Sequence, residues 1–115
     1  MANQIPAVTD AVFRALADPT RRAILERLGR SDASVSDLAA PFAMALPSFL
    51  KHVRLLEETG LIRSRKAGRT RTCTLQPAPL ALIEDWLAQQ RSQWERHTDR
   101  LEQFVLGQQQ QGSPE

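Results

Sequence analysis

A chain of 115 residues makes one domain, with room for a tail but not for a second full domain. A hydrophobic share of 42% supports a core and argues against wholesale disorder, and the single cysteine, Cys73, excludes an internal disulfide framework and a zinc site built from several thiolates. The charged share of 24% and net charge of +2 are ordinary, and no apolar run approaches the roughly 18–20 residues of a membrane span.

Met1-Ala2-Asn3-Gln4-Ile5-Pro6 lacks the basic-then-apolar order of a secretion signal, so a soluble cytoplasmic protein is expected. Val8, Val12, Phe13 and Leu16 recur at helical spacing and predict a first helix over 7–16. Asp18-Pro19 opens a second: aspartate caps, and proline suits a first position whose N–H would be unpaired anyway. Gly29 should end that helix in a left-handed cap. Arg21 and Arg22 stand in its first turn, where cations oppose the helix dipole. Either a phosphate or a nearby acid would explain them.

Ser34-Val35-Ser36-Asp37 has the spacing of a capping box and opens a third helix, which Pro41 should end or kink. After a tight connection at 43–45, Leu46, Phe49, Val53 and Leu56 form the inward stripe of a fourth helix, ending at Thr59-Gly60. Pro47, Lys51, Arg54 and Glu58 project away from that stripe, Ser48 and Leu50 flank the outward face, and His52 lies nearer the core edge.

Residues 61–66 and 70–75 read as two strands joined by a turn at Ala67-Gly68-Arg69. Here the charge concentrates. Residues 1–60 carry seven bases and seven acids, and residues 77–115 carry three and six. The sixteen residues between them hold Arg63, Arg65, Lys66, Arg69 and Arg71 with no acid. Such a segment is either an electrostatic footprint for a polyanion or a solubilising surface hairpin.

A long helix is predicted over 80–106. Ile83, Leu87, Gln90, Trp94, His97, Leu101 and Phe104 follow a 4-3 alternation, a heptad seam. Gln90 and His97 are polar seam positions of the kind that set register or respond to pH. Residues 107–115 are Gln-rich and are expected to be a disordered tail, leaving 1–106 as the folded domain.

Three short helices, two of them joined tightly, followed by a basic hairpin, are the order of a winged helix-turn-helix, mainly α with a small antiparallel hairpin. Leu16-Ala17-Asp18-Pro19-Thr20-Arg21-Arg22-Ala23-Ile24-Leu25 resembles the opening signature of the ArsR-type transcription regulators. The stretch from Ser48 through Lys51-His52-Val53-Arg54 to Gly60-Leu61-Ile62 resembles their recognition helix, and Arg65-Lys66-Ala67-Gly68-Arg69 their wing. The likeness spans about residues 8–106 and is nearest to the subgroup without metal-binding cysteines, since Ser34 and Ser36 stand where a Cys-x-Cys pair would lie. It implies a homodimer that binds double-stranded operator DNA, usually as a repressor, with its first and last helices forming the dimer.

The expected DNA-binding residues are Ser48, Lys51, His52, Arg54, Arg65, Lys66, Arg69, Arg71 and Arg22, with Arg69 foremost in the wing. For Ser48 the alternative is local capping, for Arg54 pairing with Glu57 or Glu58, and for His52 a structural hydrogen bond. The expected dimer residues are Val8, Val12, Ile83, Leu87, Trp94, Leu101 and Phe104. Two departures from the family pattern are Ala45, where Ser or Thr often caps the recognition helix, and Leu50, where serine is common. Leu50 could meet a thymine methyl or line the groove wall.

No cofactor or metal is expected. His97, Asp99 and Glu102 supply one histidine where a metal site needs several converging ligands. Nor is an enzyme expected: no nucleophile stands at motif spacing from a base, and no Gly-rich phosphate loop occurs among five glycines. A winged-helix module that offers its wing to an acidic protein is the rival reading. The sequence does not name an effector.

Overall fold

The structure is a computed structural model that describes residues 5–112. In chain order the elements are α1 (Ala7–Leu16), α2 (Pro19–Leu28), β1 (Ala33–Ser34), α3 (Val35–Ala39), α4 (Leu46–Glu58), β2 (Ile62–Ala67), β3 (Thr70–Leu75) and α5 (Leu80–Gly112). The fold is the expected one: mainly α, a winged helix-turn-helix with a long C-terminal helix. The sheet has three strands rather than two, all antiparallel, in the order β1-β3-β2. The added strand is two residues long, too short to leave a periodic signature.

Local chemistry sets most of the boundaries. Asp18 accepts a hydrogen bond from the Arg21 N–H at 3.0 Å, with Pro19 at the start of α2. Ser34 accepts from the Asp37 N–H at 3.0 Å and caps α3, which ends before Pro41. Gly68 (φ 63°) is the first residue of a two-residue turn between the paired Ala67 and Thr70, and among the described residues no non-glycine has positive φ. Positive φ at the first central position alone is the pattern of a type II′ hairpin turn, which matches the twist of the strands.

Three expectations about these elements are corrected. Gly29 is right-handed (φ −65°), because the chain continues into a further turn in which Arg30 donates to Arg27 O. The left-handed helix end falls instead at Gly60 (φ 78°). Leu46 is 54% exposed: helical spacing identifies the stripe but not where the neighbouring elements stop covering it. Of residues 107–115, expected to be a disordered tail, 107–112 continue α5, and 113–115 lie outside the described residues. Glutamine is a good helix former, and extending an existing helix avoids the nucleation cost.

The core gathers Val12 and Ala15 from α1, Ile24 and Leu28 from α2, Leu38 from α3, and Phe49, Val53 and Leu56 from α4. Leu61, Ile62, Cys73 and Ile83 close it from the sheet side and from the start of α5. The described chain divides into two compact units, one ending at Ile83 and one beginning at Glu84. The second unit is a single helix whose side chains from Arg91 to Leu106 are all exposed. No helix among the described residues is long and apolar enough to cross a membrane.

Candidate nucleic-acid interface

The inward face of α4 is fixed by Phe49, Val53 and Leu56, each no more than 1% exposed, and Phe42 after α3 packs on Phe49 with ring centroids 5.4 Å apart. That anchoring sends Ser48, Lys51 and Arg54 outward, and all three are exposed. Ala45 provides no side-chain cap, so the first N–H groups of α4 lack the partner a serine would supply.

A polar contact ties α4 to the hairpin: the half-buried Glu57 carboxylate accepts a hydrogen bond from the Ser64 hydroxyl. With 100° per residue, Arg54 lies about 60° and Lys51 about 120° around the helix from Glu57, away from the core. The bases of α4 therefore begin beside the wing and continue onto the free face.

Strand alternation divides the wing's own bases. Ser64 pairs with Cys73 and Lys66 with Arg71, so Lys66 and Arg71 share the face that Ser64 turns to α4. Arg63 and Arg65, opposite Thr74 and Thr72, share the other face, where they line a shallow concavity with Asp32. Arg69 sits in the turn at the tip. Lys51, Arg54, Arg63, Arg65, Lys66, Arg69 and Arg71 are all exposed, and none has a described carboxylate within 4.0 Å. The pairing of Arg54 with Glu57 or Glu58 is not formed. Like charges directly opposite on two strands, as at Lys66 and Arg71, cost stability unless something else neutralises them.

Arg21 and Arg22 have a use that the sequence did not suggest. Arg22 Nη1 donates to the Leu16 carbonyl at 2.8 Å. Arg21 donates through Nε to Ala15 O and through Nη2 to Arg14 O, each at 2.9 Å. Both guanidinium groups thus bond carbonyls at the C-terminus of α1, where a cation is favoured; the Arg14 carbonyl also accepts from the Ala17 N–H. No described carboxylate lies within 4.0 Å of either guanidinium. Arg22, expected at the DNA, is exposed, gives Nη1 to this contact and borders a leucine-lined hollow with Leu16, Leu25 and Leu61.

His52 is half-buried. Its Nδ1 lies 3.1 Å from Arg21 Nη1 and 3.7 Å from Asp18 Oδ2. Partial desolvation pushes the Asp18 carboxyl pKa upward. The Arg21 and Thr20 backbone N–H bonds and the neighbouring His52 and Arg21 charges outweigh it and hold the pKa below the usual carboxylate value. Cys73 is fully buried, and burial first, then the Glu57 charge, pushes its thiol pKa upward. Arg21 and Arg63, absent from the expected DNA-binding set, lie against His52 and beside Arg65 respectively. The Arg21–His52 contact spans 31 residues and has no local signal.

Of the seven expected dimer residues, Val12 and Ile83 are buried in the subunit's own core and cannot be offered to a partner without unpacking it. Val8, Leu87, Trp94, Leu101 and Phe104 are exposed apolar side chains, joined on the long helix by Val105 and Leu106. Among the described residues, no group of three or more His, Cys, Asp and Glu side chains is placed to hold a metal ion.

A family model described as a helix-turn-helix domain matches residues 16–65. The crystal structure of the ArsR family transcriptional regulator RHA00566 is 54% identical, with a TM-score of 0.77 over 80% of this chain and 95% of that one. An ArsR-like transcriptional regulator from Rhodococcus sp. RHA1 is 34% identical, with a TM-score of 0.73 over 85% and 92% of the two chains. The HTH-type transcriptional regulator Rv2034 of Mycobacterium tuberculosis is 38% identical over 74 residues, which is 64% of this chain and 69% of the relative.

Proposed function

The chain belongs to the ArsR family of DNA-binding, winged helix-turn-helix transcriptional regulators, and on that premise we propose that it is a homodimeric repressor reading an inverted-repeat operator. In this reading α4 enters the major groove, with Ser48, Lys51 and Arg54 at base edges and phosphates. Lys66 and Arg71, on the wing face shared with Ser64, and Arg69 at the tip contact the adjoining backbone or minor groove. Arg65 reaches phosphate from the opposite face of the wing. The observation that carries the reading is the set of seven exposed bases on α4 and the hairpin, none with a described carboxylate within 4.0 Å. A polyanion would supply the missing neutralisation.

Two-fold symmetry is supported by the apolar face of α5. Leu87, Trp94, Leu101 and Phe104 are 49–62% exposed on one helix, a pattern that association relieves. The proposed partner is a second copy of the chain, and its symmetry would repeat α4 on successive turns of the duplex.

The deciding experiment titrates the protein with candidate operator duplexes and with random duplex at several salt concentrations. The expected result is preference for one inverted repeat and a log–log salt slope of about −0.9 for each phosphate neutralised. Equal affinity for random duplex, or affinity indifferent to salt, refutes the proposal.

A further inference from the structure

Arg21 is joined to three groups at once: the Arg14 carbonyl, the Ala15 carbonyl and the ring of His52 on α4. The first two contacts are structural. The third carries chemical information, because a guanidinium stays protonated and can only donate. At 3.1 Å from Arg21 Nη1, the neutral His52 ring therefore accepts through Nδ1, which carries no proton in that state. The competing arrangement, an Nδ1–H donated to Asp18, would span 3.7 Å, which is too long for a hydrogen bond. Neutral His52 is thus confined to one tautomer, with its proton on Nε2.

The position of Nε2 gives that tautomer a use. No described protein group is hydrogen-bonded to it, and His52 contributes no buried nitrogen lacking a partner, so Nε2 reaches solvent. His52 follows Ser48 by four residues, so the two are neighbours on one face of α4. Resting on the proposed reading of α4, we propose that Arg21 is a positioning residue for DNA binding: it fixes His52 as the Nε2–H tautomer and so presents a hydrogen-bond donor to the duplex beside Ser48. Without Arg21 the ring could place its proton on either nitrogen, and half of that choice would present a lone pair to a phosphate. The α1–α2 junction thereby sets the polarity of a group on the recognition helix.

The test has two parts. Long-range proton–nitrogen NMR on the full chain without DNA, at about pH 8 where an ordinary histidine is neutral, reads both ring nitrogens of His52. The expected spectrum shows Nε2 protonated and Nδ1 bare, and Arg21→Gln, whose amide can also accept, shows a mixture. A wild-type ring protonated at Nδ1 overturns the inference, whether or not the Arg21 variant folds. The second part compares His52→Gln, which carries an amide N–H out toward the Nε2 position, with His52→Asn, which keeps an acceptor near Nδ1 but does not reach outward. Specific affinity should fall by about tenfold in His52→Asn and by less than about threefold in His52→Gln, the scale of one phosphate hydrogen bond. Equal losses, or none, overturn the donor role. Should wild type bind operator and random duplex alike, the repressor reading fails while the tautomer result still stands.

Discussion

Asp18 serves two neighbours within one turn of chain: it caps α2 through the Arg21 N–H, and its charge lies beside His52. Because its pKa is depressed in the folded protein, its charge contributes stability above the unfolded pKa, and that contribution is lost as pH falls through the folded one. Replacing it with alanine should cost about 1 kcal/mol at neutral pH, the usual value of an N-cap. Asn, which still caps, should cost less. The gap between wild type and Asp18→Asn in thermal melts should close at strongly acidic pH. A gap that widens on acidification would assign the depression to something other than folding. Cys73 gives a second residue-scale expectation. With its thiol buried and its pKa raised, a thiol reagent should label it only after denaturation, and rapid labelling of the native protein would show that the strand opens there.

Within single elements, the helix-turn-helix trades stability for function in two places. The missing cap at Ala45 leaves α4 open at its start, and Ala45→Ser should raise stability by about 1 kcal/mol in urea unfolding. In the wing, Lys66 faces Arg71 across the hairpin. Lys66→Thr should stabilise the free protein by about 0.2–1 kcal/mol through relief of that repulsion. The same change should weaken duplex binding and reduce the salt slope by about one phosphate. Opposite signs in unfolding and binding would identify the pair as held in place for a polyanion; a loss of stability would show that it is not strained. Element boundaries were legible wherever a side chain enforces them locally, as at Asp18, Ser34 and Gly68. They were not at Gly29, whose composition suits either hand, nor at β1, whose two residues pair only because β3 lies beside them.

For the assembled molecule the open quantity is oligomeric state. The exposed apolar side chains of the long helix should make the chain a dimer in sedimentation at low micromolar concentration. Leu101→Glu combined with Phe104→Glu should shift it to monomer while leaving the fold of residues 5–83 intact by circular dichroism. Operator affinity should fall with it, because two half-sites held together gain from effective concentration. A double variant that still sediments as a dimer would move the interface away from Leu101 and Phe104, with the exposed Val8 of α1 as a candidate.

Periodicity, capping residues and the clustering of five bases in sixteen residues determined the order of elements, the recognition helix and the wing, because each depends on interactions a few residues long. Only the tertiary structure decided which side of the wing each base takes. It also withdrew Val12 and Ile83 into the core, joined Arg22 to the Leu16 carbonyl at the end of α1 and set Arg21 against His52. Those outcomes turn on distances between segments far apart in the chain. Helical or strand spacing says which residues share a face, but not which neighbour that face will meet.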